Sequence, residues 1–146
     1  MGMSNYLEEK IGGFLFRDGT FTKPTTLYFG LLTTLPTADD GTGLVECAGT
    51  YYDRVLYGPS DLHWSAPVDG NGQYANLFSI IFPKPPSIAE GPPEGWGTIV
   101  GWALWDDSLA NGGNYLISAP LGSNKNVPAG APAPEFNPGA IKFTLD

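Results

Sequence analysis

Positive charge is scarce in this chain. Its 146 residues include seven Lys and Arg against fifteen Asp and Glu, a net charge of −8, and the basic residues are scattered. Phosphate neutralisation needs a basic cluster, so no nucleic-acid partner is expected. Cysteine is nearly missing. Cys47 stands alone, which rules out an intrachain disulfide and a zinc site built on several thiolates. Histidine is represented only by His63. No apolar run approaches the ~20 residues of a membrane span, so no membrane partner is expected. Glu8 and Glu9 interrupt the place where a secretory signal would become apolar, and a protein without its own export route is the expectation.

Glycine, proline and aromatic residues are abundant. Twenty Gly and fourteen Pro, with 13% aromatics, favour short strands and many turns over a helical bundle. The aromatics also supply the apolar area that disordered chains lack. The length suits one domain over residues 1–146, large enough to bury roughly 68–70% of its unfolded surface.

Residues 6–36 (YLEEKIGGFLFRDGTFTKPTTLYFGLLTTLP) organise the rest. A short amphipathic helix is predicted over residues 4–17. Asn5 is a candidate cap, with Glu8 reaching back as in a capping box. Leu7, Ile11, Phe14 and Leu15 fall on one predicted buried face. Gly12 and Gly13 each weaken a helix interior by about 1 kcal/mol relative to Ala, so the helix must pack on something. Residues 25–34 then read as a central strand. Leu27, Phe29 and Leu31 face one side and Tyr28, Gly30 and Leu32 the other, both largely apolar.

Further strands are predicted over residues 50–57, 73–82, 96–105, 115–121 and 140–145, with Leu62 and Trp64 as anchors of a shorter one. Within 96–105, alternation places Trp96, Thr98, Val100, Trp102 and Leu104 together. It places Gly97, Ile99, Gly101, Ala103 and Trp105 opposite, where the small residues leave room for close approach. Helices for parallel crossovers are missing. The fold class is therefore mainly β: an antiparallel β-sandwich with a short N-terminal helix, and Phe29, Ile80, Trp102 and Phe143 in its core. Two Pro-rich arms, residues 83–93 and 128–138, interrupt it. Repeated Pro disables ladder donors, so the arms are expected at the surface with little share in the core.

No pattern of catalytic residues stands out. Ser60, Asp61 and His63 are neighbours in sequence, but triads are assembled from separate elements, and no nucleophile-elbow glycine pattern surrounds Ser60. Asp39–Asp40 and Asp106–Asp107 lie in Gly-containing loops without the alternation and distal Glu of a calcium loop. Residues 95–98 lack the Lys-Ser/Thr end of a phosphate loop. Trp64, Trp96, Trp102 and Trp105 could stack on sugars, yet the strand pattern sends Trp96 and Trp102 inward. The expectation is a protein without enzymatic activity, with no catalytic residues, no cofactor and no metal.

Several stretches together resemble a family of small tailed-bacteriophage virion proteins. These are Asn5-Tyr6-Leu7-Glu8, Leu15-Phe16-Arg17, Phe21, Pro24-Thr25-Thr26-Leu27-Tyr28, and Tyr51-Tyr52 with Arg54. Later ones are Phe82-Pro83, residues 95–99 leading to Trp102, Gly113-Asn114-Tyr115-Leu116 and Pro138-Gly139-Ala140-Ile141. Members of that family are labelled tail fibre proteins, with β-sandwich relatives that act as capsid cement or decoration proteins. Residues 60–72, 83–93 and 129–138 look longer than the family's usual turns. The resemblance implies a non-enzymatic virion structural protein, assembled in the host cytoplasm and located in the virion. A capsid cement or decoration protein, docked on the shell and stabilising it, is the first expectation. A small tail or tail-fibre-associated subunit is the alternative, and a carbohydrate-binding host-attachment module is a third. The implied partners are the major capsid protein or tail proteins of the same virion, with the chain itself a homo-oligomer, most plausibly a trimer. On this reading the arms make the contacts. Ile88, Pro92, Pro93, Pro132, Pro134 and Phe136 are the expected partner-contact residues, with Ile88 and Phe136 as apolar anchors.

Overall fold

The computed structural model describes residues 2–67, 72–87, 95–110 and 112–144. Its elements run β1 (Gly2–Met3), α1 (Asn5–Phe16), β2 (Tyr28–Thr34), β3 (Val45–Glu46), β4 (Val55–Leu56) and β5 (Gln73–Ala75). They continue with β6 (Ile80–Ile81), β7 (Gly97–Trp105), β8 (Tyr115–Val127), β9 (Glu135–Phe136) and β10 (Lys142–Thr144). The protein is mainly β, with antiparallel pairing and a single short N-terminal helix among the described residues. One six-stranded sheet has the order β1-β8-β7-β2-β3, with β4 also on β2. Two ribbons, β5–β10 and β6–β9, form a second, smaller layer.

The β2 strand is central, as its two apolar faces predict. It pairs with β7 on one side and with β3 and β4 on the other. Phe29 and Leu31 face the main core, while Leu32 joins Ala103 and Trp105 in a smaller cluster on the opposite face. The ribbons close the main core. Phe29 stacks on Trp102 at 5.1 Å, and Phe82 meets Phe29 edge-on at 6.2 Å. Phe143 lies 6.4 Å from Trp102. Phe29, Ile80, Trp102 and Phe143 are all buried. Gly101 accounts for the close approach expected of the small-residue face, since a Cβ there would come within 2.4 Å of Leu35.

Four expectations are corrected. The β7 alternation breaks at a bulge between Ile99 and Gly101, so Ile99 joins Trp96, Trp102 and Leu104 in the main core. Residues 73–82 are two strands in different ribbons, because Asn76 diverts the chain. Its buried amide donates to Phe78 O and Asn137 O and accepts from Ile141 N–H, each at 2.9 Å. Residues 50–57 supply only β4, since a turn closes from Gly49 to Tyr52 with Tyr51 at φ 63°. The helix is capped one residue earlier than expected, by Ser4, whose Oγ accepts from Leu7 N–H at 3.2 Å.

Candidate functional site

The helix departs most from its expected packing. No residue of α1 is buried. Tyr6 and Leu7 pack on the edge of the main core, but Phe14, Leu15 and Phe16 are 58%, 61% and 84% exposed. Residues 14–20 are exposed without interruption, so the helix end and the chain returning from it form a projecting finger. Its return is tight. Gly19 N–H bonds Gly13 O, and a Cβ on Gly19 would sit 2.8 Å from that oxygen. Glycine here serves the reversal.

Beside the root of the finger lies an apolar groove of about 940 Å³. The sheet supplies its floor through Leu104, Leu116 and Ile117. Leu7, Pro24, Trp64, Tyr74 and Phe143 also line it. Leu77 adds a half-exposed apolar wall, and Leu62 and Phe78, close by in sequence, are also exposed. Lys23 and Asp61 are the charged residues of its lining. An apolar groove flanked by exposed apolar residues is a candidate interaction site.

The expected contact residues are distributed differently. Ile88, Pro92 and Pro93 lie outside the described residues. Pro132 is exposed, whereas Pro134 is buried and its carbonyl accepts Phe82 N–H at 2.9 Å. Phe136 pairs with Ile80 across the β6–β9 ribbon, its ring 5.5 Å from Phe29 and 6.4 Å from Phe82. The arm at 128–138 therefore folds onto its own core, contrary to the expectation of little core contribution. Its Gly130 N–H also bonds Pro86 O in the first arm at 2.8 Å. A testable consequence is that Phe136→Ala destabilises the isolated protein by about 2–4 kcal/mol, somewhat below a fully buried Phe because the residue is only partly buried. Urea unfolding checks this, and a loss under about 1 kcal/mol would return Phe136 to the surface.

The remaining chemical candidates have local partners. Ser60 Oγ lies 2.6 Å from His63 Nδ1 within one turn, and among the described residues no carboxylate meets that ring. Asp40 accepts Thr42 N–H at 2.8 Å, and hydrogen bonding from Thr42 holds its carboxyl below the ordinary range. Asp106 accepts from Asn114 N–H and side-chain amide at 2.6 and 2.8 Å. Cys47 is buried, and burial pushes its thiol up. No group of three His, Cys, Asp or Glu among the described residues could hold a metal ion. Trp96, Trp102 and Trp105 are buried, so of the four tryptophans Trp64 alone lines the groove.

One buried ionic network stands apart from the groove. Arg54 grips Glu46 through Nε at 2.8 Å and a second guanidinium nitrogen at 2.7 Å. Its remaining nitrogen donates to Asp107 O and Gly112 O, and its plane lies 4.0 Å over Trp105. Tyr52 donates to Glu46 and accepts Leu31 N–H, and burial raises its phenol well above the ordinary range. All these groups are satisfied, so the network holds β3, β4 and the 106–114 loop together.

Sequence reasoning missed the finger and the groove. The signal for the finger was present: Phe14, Leu15 and Phe16 are consecutive, and no single helical stripe can bury three neighbours. The groove has no comparable signal, because its lining comes from segments spread between Leu7 and Phe143.

The family comparison supplies the class that the fold leaves open, a phage virion structural protein. The family model described as podophage GP4 fiber I protein gp80 matches residues 2–144, and the chain belongs to that family. A search of curated proteins finds no match. No described helix is long and apolar enough to cross a membrane.

Proposed function

We propose that this protein is a fibre-associated subunit of the virion that works by docking and performs no reaction of its own. The observation that carries the reading is the finger, in which three consecutive large apolar residues, Phe14, Leu15 and Phe16, stay in water. The family match to a fiber protein supports the fibre assignment. Tail proteins of the same virion are then its neighbours, and the finger and groove replace the Pro-rich arms as the first contact surfaces. A second reading, a capsid cement protein docked on the major capsid protein, draws support from the short strands of a body without a long fibrous repeat.

Labelled antibody on intact particles separates the two. Decoration of fibres or tail is the expected result, label spread over the head supports cement, and particles without label overturn both.

A further inference from the structure

A second, smaller pocket shares no lining residue with the groove. It lies where residues 35–39, just after β2, meet β8 and Gly2, and its volume is about 220 Å³. Drug-sized sites run to ~300–1,000 Å³, so this one has room for a single side chain and not for a folded segment. Its shape is set before anything binds. Leu35 and Tyr115 pack on the cluster of Leu32, Ala103 and Trp105. Thr37 closes the loop through N–H and Oγ, which both bond Thr42 O, at 2.8 and 3.0 Å. Asn5 N–H holds Asp39 O at 2.9 Å. Gly2 leaves space beside the carboxylate, since a Cβ there would come within 3.0 Å of Asp39 Oδ1.

The pocket offers acceptors. The Asp39 carboxylate has no hydrogen-bond or ion-pair partner among the described residues. Tyr115 Oη and Ser118 Oγ lie 2.8 Å apart, and whichever donates to the other, both keep lone pairs. Burial pushes the Tyr115 phenol up and the charge of Asp39 adds to it, so the hydroxyl stays protonated beside the carboxylate. No Lys, Arg or His lines the pocket, which makes it negative. An anion would be repelled. A divalent cation would find one carboxylate where such ions take about six oxygens or more. A guanidinium suits the site better: its paired N–H donors match a carboxylate, and its plane can lie on an aromatic ring. The chain already makes this arrangement internally, where Arg54 grips Glu46 and covers Trp105.

We propose that this pocket receives an arginine side chain of a neighbouring protein, its guanidinium on the Asp39 carboxylate and against the Tyr115 ring. The inference depends neither on the finger and groove nor on where in the virion the protein sits.

The test uses the full purified chain and three capped amino acids as probes: N-acetyl-arginine methylamide and its lysine and glutamine counterparts. Binding is followed by amide chemical shifts at low salt. The arginine probe is expected to shift Gly2, Asp39, Tyr115 and Ser118 saturably, with a Kd near ~1 mM, as one side chain's contacts allow. Asp39→Asn should weaken it at least about tenfold, and raising the salt to about 0.5 M should weaken it too. Tyr115→Phe, which keeps the ring, should bind within about threefold of the unaltered chain. Asp39 is exposed, so folding is expected to persist in its variant, and thermal melts check both. Absence of saturable shifts up to about 20 mM arginine probe overturns the proposal. So does an Asp39→Asn variant that binds equally well, or a glutamine probe that moves the same amides. A lysine probe as tight as the arginine one overturns the assignment to guanidinium. None of these outcomes bears on antibody labelling of virions, so this proposal and the fibre assignment fail separately.

Discussion

Replacing Arg54 by Met is expected to cost the folded protein about 3–5 kcal/mol, the range for removing one partner of a buried ion pair. The loss comes from what remains. Glu46, its side chain 6% exposed, would lose both charge-assisted bonds. The carbonyls of Asp107 and Gly112 would lose their donor, and Trp105 the cation above its ring. Two controls identify the cause. Arg54→Met combined with Glu46→Leu should recover most of the loss, because apolar packing can replace a buried pair nearly without cost. Arg54→Lys should not, since an ammonium lacks the planar fork that spans a carboxylate and two carbonyls. Urea unfolding with an unchanged slope checks all three. A loss below about 1 kcal/mol for Arg54→Met would show that water reaches Glu46 and that the network is not closed.

Asn76→Leu is expected to have a similar effect, about 3–5 kcal/mol, for a different reason. Leucine matches asparagine closely enough in size, so the cost is mainly polar. Ile141 N–H would be left buried without its present partner, at about 1–3 kcal/mol, Asn137 O would lose its donor, and the bend after β5 would lose its clamp. Phe78 O is partly protected, since Tyr57 Oη also donates to it at 2.8 Å. Asn76 ties the segments of the two ribbons to each other, so native-state hydrogen exchange should show Ile141 and residues 73–75 losing protection before β2 and β7. Uniform loss across the sheet would contradict this view of the ribbons as a separately weakened layer.

Both residues show what a sequence conceals. The strands β2 and β7 were readable because their apolar faces alternate over enough residues to define a period, and Phe29, Ile80, Trp102 and Phe143 followed as core. The bulge after Ile99 reverses a face without any change in composition. Asn76 sits inside an apolar run whose period continues through it, and two of its three side-chain partners, Asn137 and Ile141, lie 61 and 65 residues away. Glu46 lies in β3 and Arg54 just before β4, so neither reads as half of a pair. A helical stripe through Phe14 and Leu15 predicts burial because helices usually bury theirs, and repeated Pro predicts arms with little share in the core. The structure instead exposes Phe14 and Leu15 and packs Phe136 against Phe29 and Phe82.

The most direct test of the account is the abundance of this chain in purified particles. Quantitative mass spectrometry of density-purified virions, with heads and tails separated after disruption, should find it at a fixed copy number relative to the other structural proteins and enriched with the tail fraction. A chain abundant in the infected-cell lysate but absent from the particles would contradict a virion structural role.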